Sequence, residues 1–184
     1  MTFFLLRHGE TEGPGGFRGR LDPRLTPKGL AQMHAAIAGE PAWELVVSSP
    51  LQRCLLFAQS IADADRTNCL VEPGLRELDF GDWEGHTAAE LIEDQAEALG
   101  LFWADPYTYT PPNGEPVAAF EARVLAAMRA LVSDYSRSRT LIVTHGGVIR
   151  LLLARQQGLP RHALLQVEAA YGSLHAFDPH ALGL

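Results

Sequence analysis

The sequence predicts an α/β fold built on a parallel sheet. Three observations predict it. Apolar runs at Phe3 to Leu6, Leu45 to Val47 and Leu141 to Val143 are too short for helices and rich in Val, Ile, Leu and Phe, as buried parallel strands are. A polar or glycine-containing turn follows each run. Each turn leads into a helical pattern, so strand and helix alternate along the chain.

The helices carry start and stop signals in order. Thr26 with Pro27 opens a helix near 27–38, and Ser49 with Pro50 repeats the device for one near 50–63. Thr87-Ala-Ala-Glu90 is a capping box for a third near 88–99. In a fourth, near 116–135, Val117, Phe120, Val124, Met128, Leu131 and Tyr135 recur at three and four residues and form one buried stripe, with Arg123 and Arg129 expected outward. A fifth follows Gly146-Gly147 to about Gln157 and stops at Gly158 and Pro160. Leu164 to Ala170 and Ser173 to Phe177, flanking Tyr171-Gly172, are expected to pair as an edge hairpin. Irregular stretches at Gly13 to Pro23, Gly81 to His86 and Asp105 to Pro116 are expected to be loops of one site, and the whole of 1–184 a single domain.

Composition narrows the function. Among 184 residues, 47% are apolar and the net charge is −7, the wrong sign for gripping nucleic acid or an anionic membrane. An anionic ligand then needs a local basic pocket. Cys54 and Cys69 have neither metal-ligand spacing nor a disulfide framework, and no apolar run approaches a membrane span, so a soluble cytoplasmic protein is expected.

Two strands end alike, in Leu6-Arg7-His8-Gly9 and Val143-Thr144-His145-Gly146-Gly147. Ligands of open α/β sheets bind outside the carboxyl ends of strands, so both imidazoles emerge where a ligand sits. Gly9 and Gly146 let the backbone turn or approach that ligand closely. Arg53, near the start of its helix, can join Arg7 as a two-armed clamp, and Arg18, Arg20 and Arg24 add local positive bias. Paired guanidinium forks suit phosphate. Phosphate monoester hydrolysis needs a barrier reduction of roughly 28 kcal/mol. General acid or base help supplies about 10²–10⁴-fold, so covalent catalysis and convergent charge are also required.

Together these strings resemble the histidine phosphatase (phosphoglycerate mutase-like) superfamily. The matches are Leu6-Arg7-His8-Gly9-Glu10-Thr11, Gly19-Arg20-Leu21-Asp22 through Leu25-Thr26, Ser48-Ser49-Pro50-Leu51-Gln52-Arg53, Arg76-Glu77-Leu78-Asp79-Phe80-Gly81-Asp82-Trp83-Glu84-Gly85 and Val143-Thr144-His145-Gly146-Gly147. The resemblance implies a three-layer α/β/α sandwich with a mostly parallel central sheet. It implies that His8 takes the phosphoryl group while Arg7, Arg53 and His145 hold its oxygens, with Thr11, Arg20 and Gly146 also at the ligand. Neighbouring arginines are expected to keep His8 neutral, and a bound dianion to keep His145 charged. The cation cluster is expected to replace a metal, with no cofactor. A His8, His145 and carboxylate metal site is the competing reading, and no His-x-His or His-Glu-x-x-His spacing supports it. Glu77, Asp79, Asp82 and Glu84 are all candidates for the proton donor; periodicity does not choose, and the resemblance selects Glu77.

The Trp-Asn pair of phosphoglycerate mutases is missing after the first signature, where Glu12-Gly13-Pro14-Gly15-Gly16-Phe17-Arg18-Gly19 stands. With Phe102-Trp103-Ala104-Asp105-Pro106 and Pro112-Asn113-Gly114-Glu115-Pro116, that loop looks most like the α-ribazole phosphatases of cobalamin synthesis. Departures are Cys54, where Ala is frequent, and Asn113-Gly114-Glu115-Pro116, where a Gly-Gly-Glu-Ser type of turn is usual. Trp103, Tyr107 and Tyr109 can stack on a base. The expected partner is a small phosphorylated metabolite, the chain acting as monomer or homodimer. Alternatives are a broad-specificity sugar or metabolite phosphatase, a mutase, and a phospho-ligand-binding regulator without turnover. His34, His162, His175 and His180 are read as structural or surface residues, and Cys54 as a core thiol whose pKa Arg53 can lower.

Overall fold

The computed structural model describes residues 3–182. Five strands, β1 (Phe3–Arg7), β2 (Leu45–Ser48), β3 (Cys69–Val71), β4 (Thr140–Thr144) and β5 (Leu174–Phe177), form one sheet in the order β3-β2-β4-β1-β5. The first four are parallel, and β5 runs antiparallel beside β1. Side chains alternate across this sheet. Phe3, Leu5, Val47 and Ile142 join one core with α3 (Ala88–Ala104), α4 (Val117–Tyr135) and α5 (Gly146–Gln156). Leu6, Val46, Leu141 and Val143 join a second core with α1 (Pro27–Ala36) and α2 (Gln52–Asp65). The result is the expected three-layer sandwich.

Helix ends follow the sequence signals in most places. Thr26 accepts the Gly29 amide at 2.9 Å, and Thr87 and Glu90 complete their reciprocal capping box. Helix α3 continues to Ala104, five residues past the expected end, through a non-helical Gln95 whose side chain accepts the Trp83 indole N–H at 2.7 Å. Helix α2 starts at Gln52 instead of Pro50, and Ser49 does not cap it.

Two further differences concern the sheet. Residues Arg161–Gln166 form a 3-10 helix, so the segment from Leu164 has no hairpin role, and among the described residues β5 pairs with β1 alone. Strand β3 was not expected at all. It has three residues, none fully buried, at the sheet edge, where hydrophobic patterning is weakest.

Strand register positions the site. Arg7 pairs with Thr144 in the β1·β4 ladder, so His8 and His145 each follow the last paired residue of neighbouring strands. Ser48 pairs with Val143, which brings Ser49 beside them.

Candidate active site

His8 and His145 are both buried, their rings 5.2 Å apart between centroids. The His8 Nδ1–H donates to the Gly9 carbonyl at 2.8 Å, which leaves the Nε2 lone pair free. Burial first, then the Arg53, Arg7 and Arg18 charges, push its pKa down to about 3, against a smaller opposing effect of the Gly9 hydrogen bond. A neutral, oriented imidazole with one free lone pair is a nucleophile.

Arg7 is held in three ways. Its guanidinium donates to the Ala169 carbonyl, lies 4.1 Å over the Tyr171 ring, and packs where a side chain at position 146 would stand. Its Nε is buried without a hydrogen-bond partner among the described residues. Tyr171, 5.7 Å from the His8 ring, thus touches both groups; sequence reasoning missed it by reading Tyr171-Gly172 as a hairpin turn.

Arg53 is almost wholly buried and donates from Nε to His145 Nδ1 at 3.3 Å. Its other donors reach the carbonyls of Arg18, Gly19 and Leu21, so it ties the 18–21 loop to the histidine pair. With Nδ1 accepting, His145 Nε2–H donates to Ser49 Oγ at 2.7 Å. Ser49 is a further residue that sequence reasoning missed, because Ser-Pro before a helix reads as a cap. Burial, then Arg53, His8 and Arg7, lower the His145 pKa far below that of free histidine. Without a dianion the surrounding cations and burial disfavour the charged form of both rings; the expected charging of His145 concerns the state with a dianion bound.

The four acidic candidates separate. Glu84 accepts backbone amides of Gly19, Arg20, Leu21 and Phe80. Asp79 pairs with Arg20 at 2.7 Å, and Asp82 accepts from Asn113 at 2.9 Å. Glu77 alone of the four lines the cavity of about 460 Å³ that also contains Arg7 and His8. Its carboxylate accepts the Leu78 amide at 2.9 Å and the Gly147 amide at 3.0 Å, at the start of α5, where the helix dipole favours negative charge. A Cβ at position 147 would lie 2.2 Å from Glu77 Oε1. A side chain there would push the flexible Glu77 carboxylate aside.

Other sequence-selected residues sit at varied distances from this core. Thr11 is buried and accepts from Arg18, which lines the cavity. Arg20 is mostly exposed, and lines a second cavity of about 550 Å³ that meets the first at Glu77. Trp103 lines the His8 cavity with Phe17, Phe80 and Phe102. Tyr107 and Tyr109 do not: Tyr109 stacks on Trp83 and Tyr107 lies under Arg161. Cys54 packs 3.7 Å from His145 Nε2, and burial outweighs Arg53 in raising its pKa. Arg123, expected outward, turns back onto the Glu77 segment.

Residues 3–183 match the family model of the histidine phosphatase superfamily, branch 1. The chain belongs to the histidine phosphatase superfamily. An adenosylcobalamin/alpha-ribazole phosphatase of Escherichia coli is 31% identical over 97% of this chain and 90% of that relative. A glucosyl-3-phosphoglycerate phosphatase of Mycolicibacterium vanbaalenii is 34% identical over 85% of this chain and 74% of the relative. Among solved structures, an alpha-ribazole phosphatase from Shigella flexneri superposes with a TM-score of 0.82 at 32% identity, covering 97% of this chain and 90% of that one. A mycobacterial glucosyl-3-phosphoglycerate phosphatase in complex with inorganic phosphate gives 0.85 at 27% identity, covering 99% and 91%. This histidine phosphatase chain is accordingly a phosphoric monoester hydrolase. Among the described residues, no helix is long and apolar enough to cross a membrane.

Proposed function

We propose that the chain hydrolyses a small phosphorylated metabolite through a phosphohistidine at His8, and that the metabolite is α-ribazole phosphate. One observation carries the chemistry: His8 presents a free Nε2 lone pair, at a pKa of about 3, in the cavity that it shares with Arg7 and Glu77. The Nε2 lone pair attacks phosphorus, the ester P–O bond breaks, and Glu77, holding a proton while the phosphate dianion lies beside its carboxylate, gives that proton to the departing alkoxide. Water then attacks the phosphohistidine and loses its proton to Glu77, releasing phosphate and restoring neutral His8.

Arg7 offers its unpartnered Nε to the phosphoryl oxygens. His145 packs beside His8 and Arg53 bonds to it, so both favour negative charge there; a bound dianion raises the His145 pKa, so the ring can hold its proton against an oxygen. The amide of Gly146, at the first position of α5, and the Thr11–Arg18 pair complete the anion site. Arg20 pairs with Asp79 through Nε and lines the neighbouring cavity and not that of His8, so its contact is with the alcohol portion and not the phosphoryl group.

The substrate reading is supported by relatives bearing that name at 31–32% identity and by the aromatic wall of Phe17, Phe80, Phe102 and Trp103. Trp103 is 47% exposed and can cover a flat base. A second reading, a sugar or glycerate phosphatase, is favoured by the 34% identity to the glucosyl-3-phosphoglycerate enzyme. A phosphate-release panel of α-ribazole phosphate, sugar phosphates and phosphoglycerates separates them, with the highest kcat/KM expected for the first. Rapid quenching should trap an acid-labile phosphoenzyme in the wild type and none in His8→Ala. Transfer of phosphate between glycerate positions without release would overturn hydrolysis, and steady turnover without the adduct would overturn the mechanism.

A further inference from the structure

Glu77 has to be aimed from an irregular segment, between a 3-10 turn at Pro73–Leu75 and another at Gly81–Trp83. Among the described residues its carboxylate is hydrogen-bonded by two backbone amides alone, so its position depends on where the 74–79 backbone is fixed. We infer that Arg123, locked by Glu115, is the positioning residue that fixes it. The inference rests on the reading of Glu77 as the acid–base group.

Every N–H of the Arg123 guanidinium is engaged. Nε and one Nη2 proton form a fork on Glu115, at 2.7 and 2.8 Å. The second Nη2 proton goes to the Glu77 carbonyl at 2.8 Å, and the two Nη1 protons to the carbonyls of Gly74 and Arg76, at 2.8 and 2.7 Å. One side chain thus bonds three backbone carbonyls within four residues, including that of Glu77, the residue that bears the reacting carboxylate. Glu115 adds a grip on the same strip, because its amide donates to the Asp79 carbonyl at 2.9 Å.

An isolated surface ion pair contributes little, and a structural role would need no such convergence. A planar five-donor fork matches this acceptor set, whereas a lysine ammonium with three donors cannot. Helix α4 carries Arg123 and packs on the 73–75 turn so closely that a Cβ at Gly74 would lie 2.8 Å from that of Ala127. The rigid helix supplies the reference frame, and Arg123 transfers it to Glu77.

The test compares Arg123→Lys and Glu115→Gln, alone and combined with Glu77→Gln, in single-turnover assays on an alkyl phosphate and on p-nitrophenyl phosphate. Misplacement of a catalytic group by 1 Å can lower its rate about a hundredfold, so the first turnover of the alkyl ester should fall about ten- to hundredfold in Arg123→Lys. Glu115→Gln should move it in the same direction by less. Inhibition by inorganic phosphate should stay within about twofold, since Arg7, Arg53 and His8 are untouched, and the p-nitrophenolate burst within about threefold, because that leaving group needs no proton. In the Glu77→Gln background Arg123→Lys should lower the rate no further. Equal fold losses in both backgrounds, or equal losses on both substrates, would overturn the inference, as would full-rate Arg123→Lys and Glu115→Gln enzymes beside a slow Glu77→Gln enzyme. Undiminished rate in Glu77→Gln would instead refute the role of Glu77. If Arg123→Lys fails to fold, the same comparisons on Glu115→Gln decide.

Discussion

Protonation of His8 is suppressed in the folded protein, so this residue should make stability fall in acid by an amount that can be calculated. Its folded pKa is about 3, against 6.5 for free histidine. Between these values the unfolded chain binds a proton that the native one refuses, so stability is complete above about pH 6.5 and declines as pH falls towards 3. Integrated from about pH 8 to about pH 4.5, one such histidine contributes about 2.7 kcal/mol, a factor of roughly 100 in the folding equilibrium. His145, lowered in the same direction, adds to the slope. The perturbation is His8→Asn, whose amide can still donate to the Gly9 carbonyl but cannot titrate. Urea unfolding of both proteins across this range cancels the carboxylates, which titrate in both, and leaves His8 with its effect on His145. The wild type should lose about 2.7 kcal/mol more than His8→Asn over that interval. Parallel curves would mean that His8 titrates normally in the fold, and that the arginines do not hold its lone pair free.

Four further outcomes follow from the same geometry. Tyr171→Phe should keep the affinity for inorganic phosphate, whereas Tyr171→Leu should weaken it about two- to thirtyfold, the range of a cation–π contact to Arg7; equal affinities would remove Tyr171 from the site. Gly147→Ala should lower kcat about a hundredfold with little change in melting temperature, because the new Cβ displaces the flexible Glu77 carboxylate and leaves the backbone in place. Dialysis against a chelator should leave the rate unchanged, since guanidinium groups supply the positive charge at His8; a loss restored by a divalent cation would refute that account. Cys54 should resist thiol reagents until the chain unfolds, because burial raises its pKa and packs it against His145; rapid labelling of Cys54 in the native enzyme would contradict this.

The fold and the histidine pair were legible because they rest on strong local signals: apolar runs of strand length, each histidine at a strand end, each followed by glycine. Residues whose roles depend on tertiary approach were not. Ser49 carries the signature of a helix cap, yet strand register sets its hydroxyl against His145, and the helix begins at Gln52. Arg123 lies off the buried stripe by the three-and-four spacing of the apolar residues, but its long side chain reaches carbonyls some 46 to 49 residues away in sequence. Glu77 could not be chosen over Asp79, Asp82 or Glu84 by periodicity, because none of the four lies in an α-helix or a strand; their tertiary partners and the cavity distinguish them.

What places the site is therefore the same pattern that stabilises the sheet. Leu5 and Leu6 face opposite cores, and so do Ile142 and Val143. A slip of one residue between β1 and β4 would send each of these to the wrong core, at the cost of several buried side chains of roughly 1.5–3 kcal/mol apiece. That penalty fixes the register, and the register sets His8 and His145 level with one another, since Arg7 and Thr144 are paired immediately before them. The His8 amide bonds to the Thr144 carbonyl at 3.0 Å, so the ladder extends to the first residue of the site. The neighbouring imidazoles need no contact of their own to bring them together. Destabilising core substitutions on β1 or β4 should consequently reduce activity only in proportion to the unfolded fraction, because the register that aligns the pair survives for as long as the sheet does.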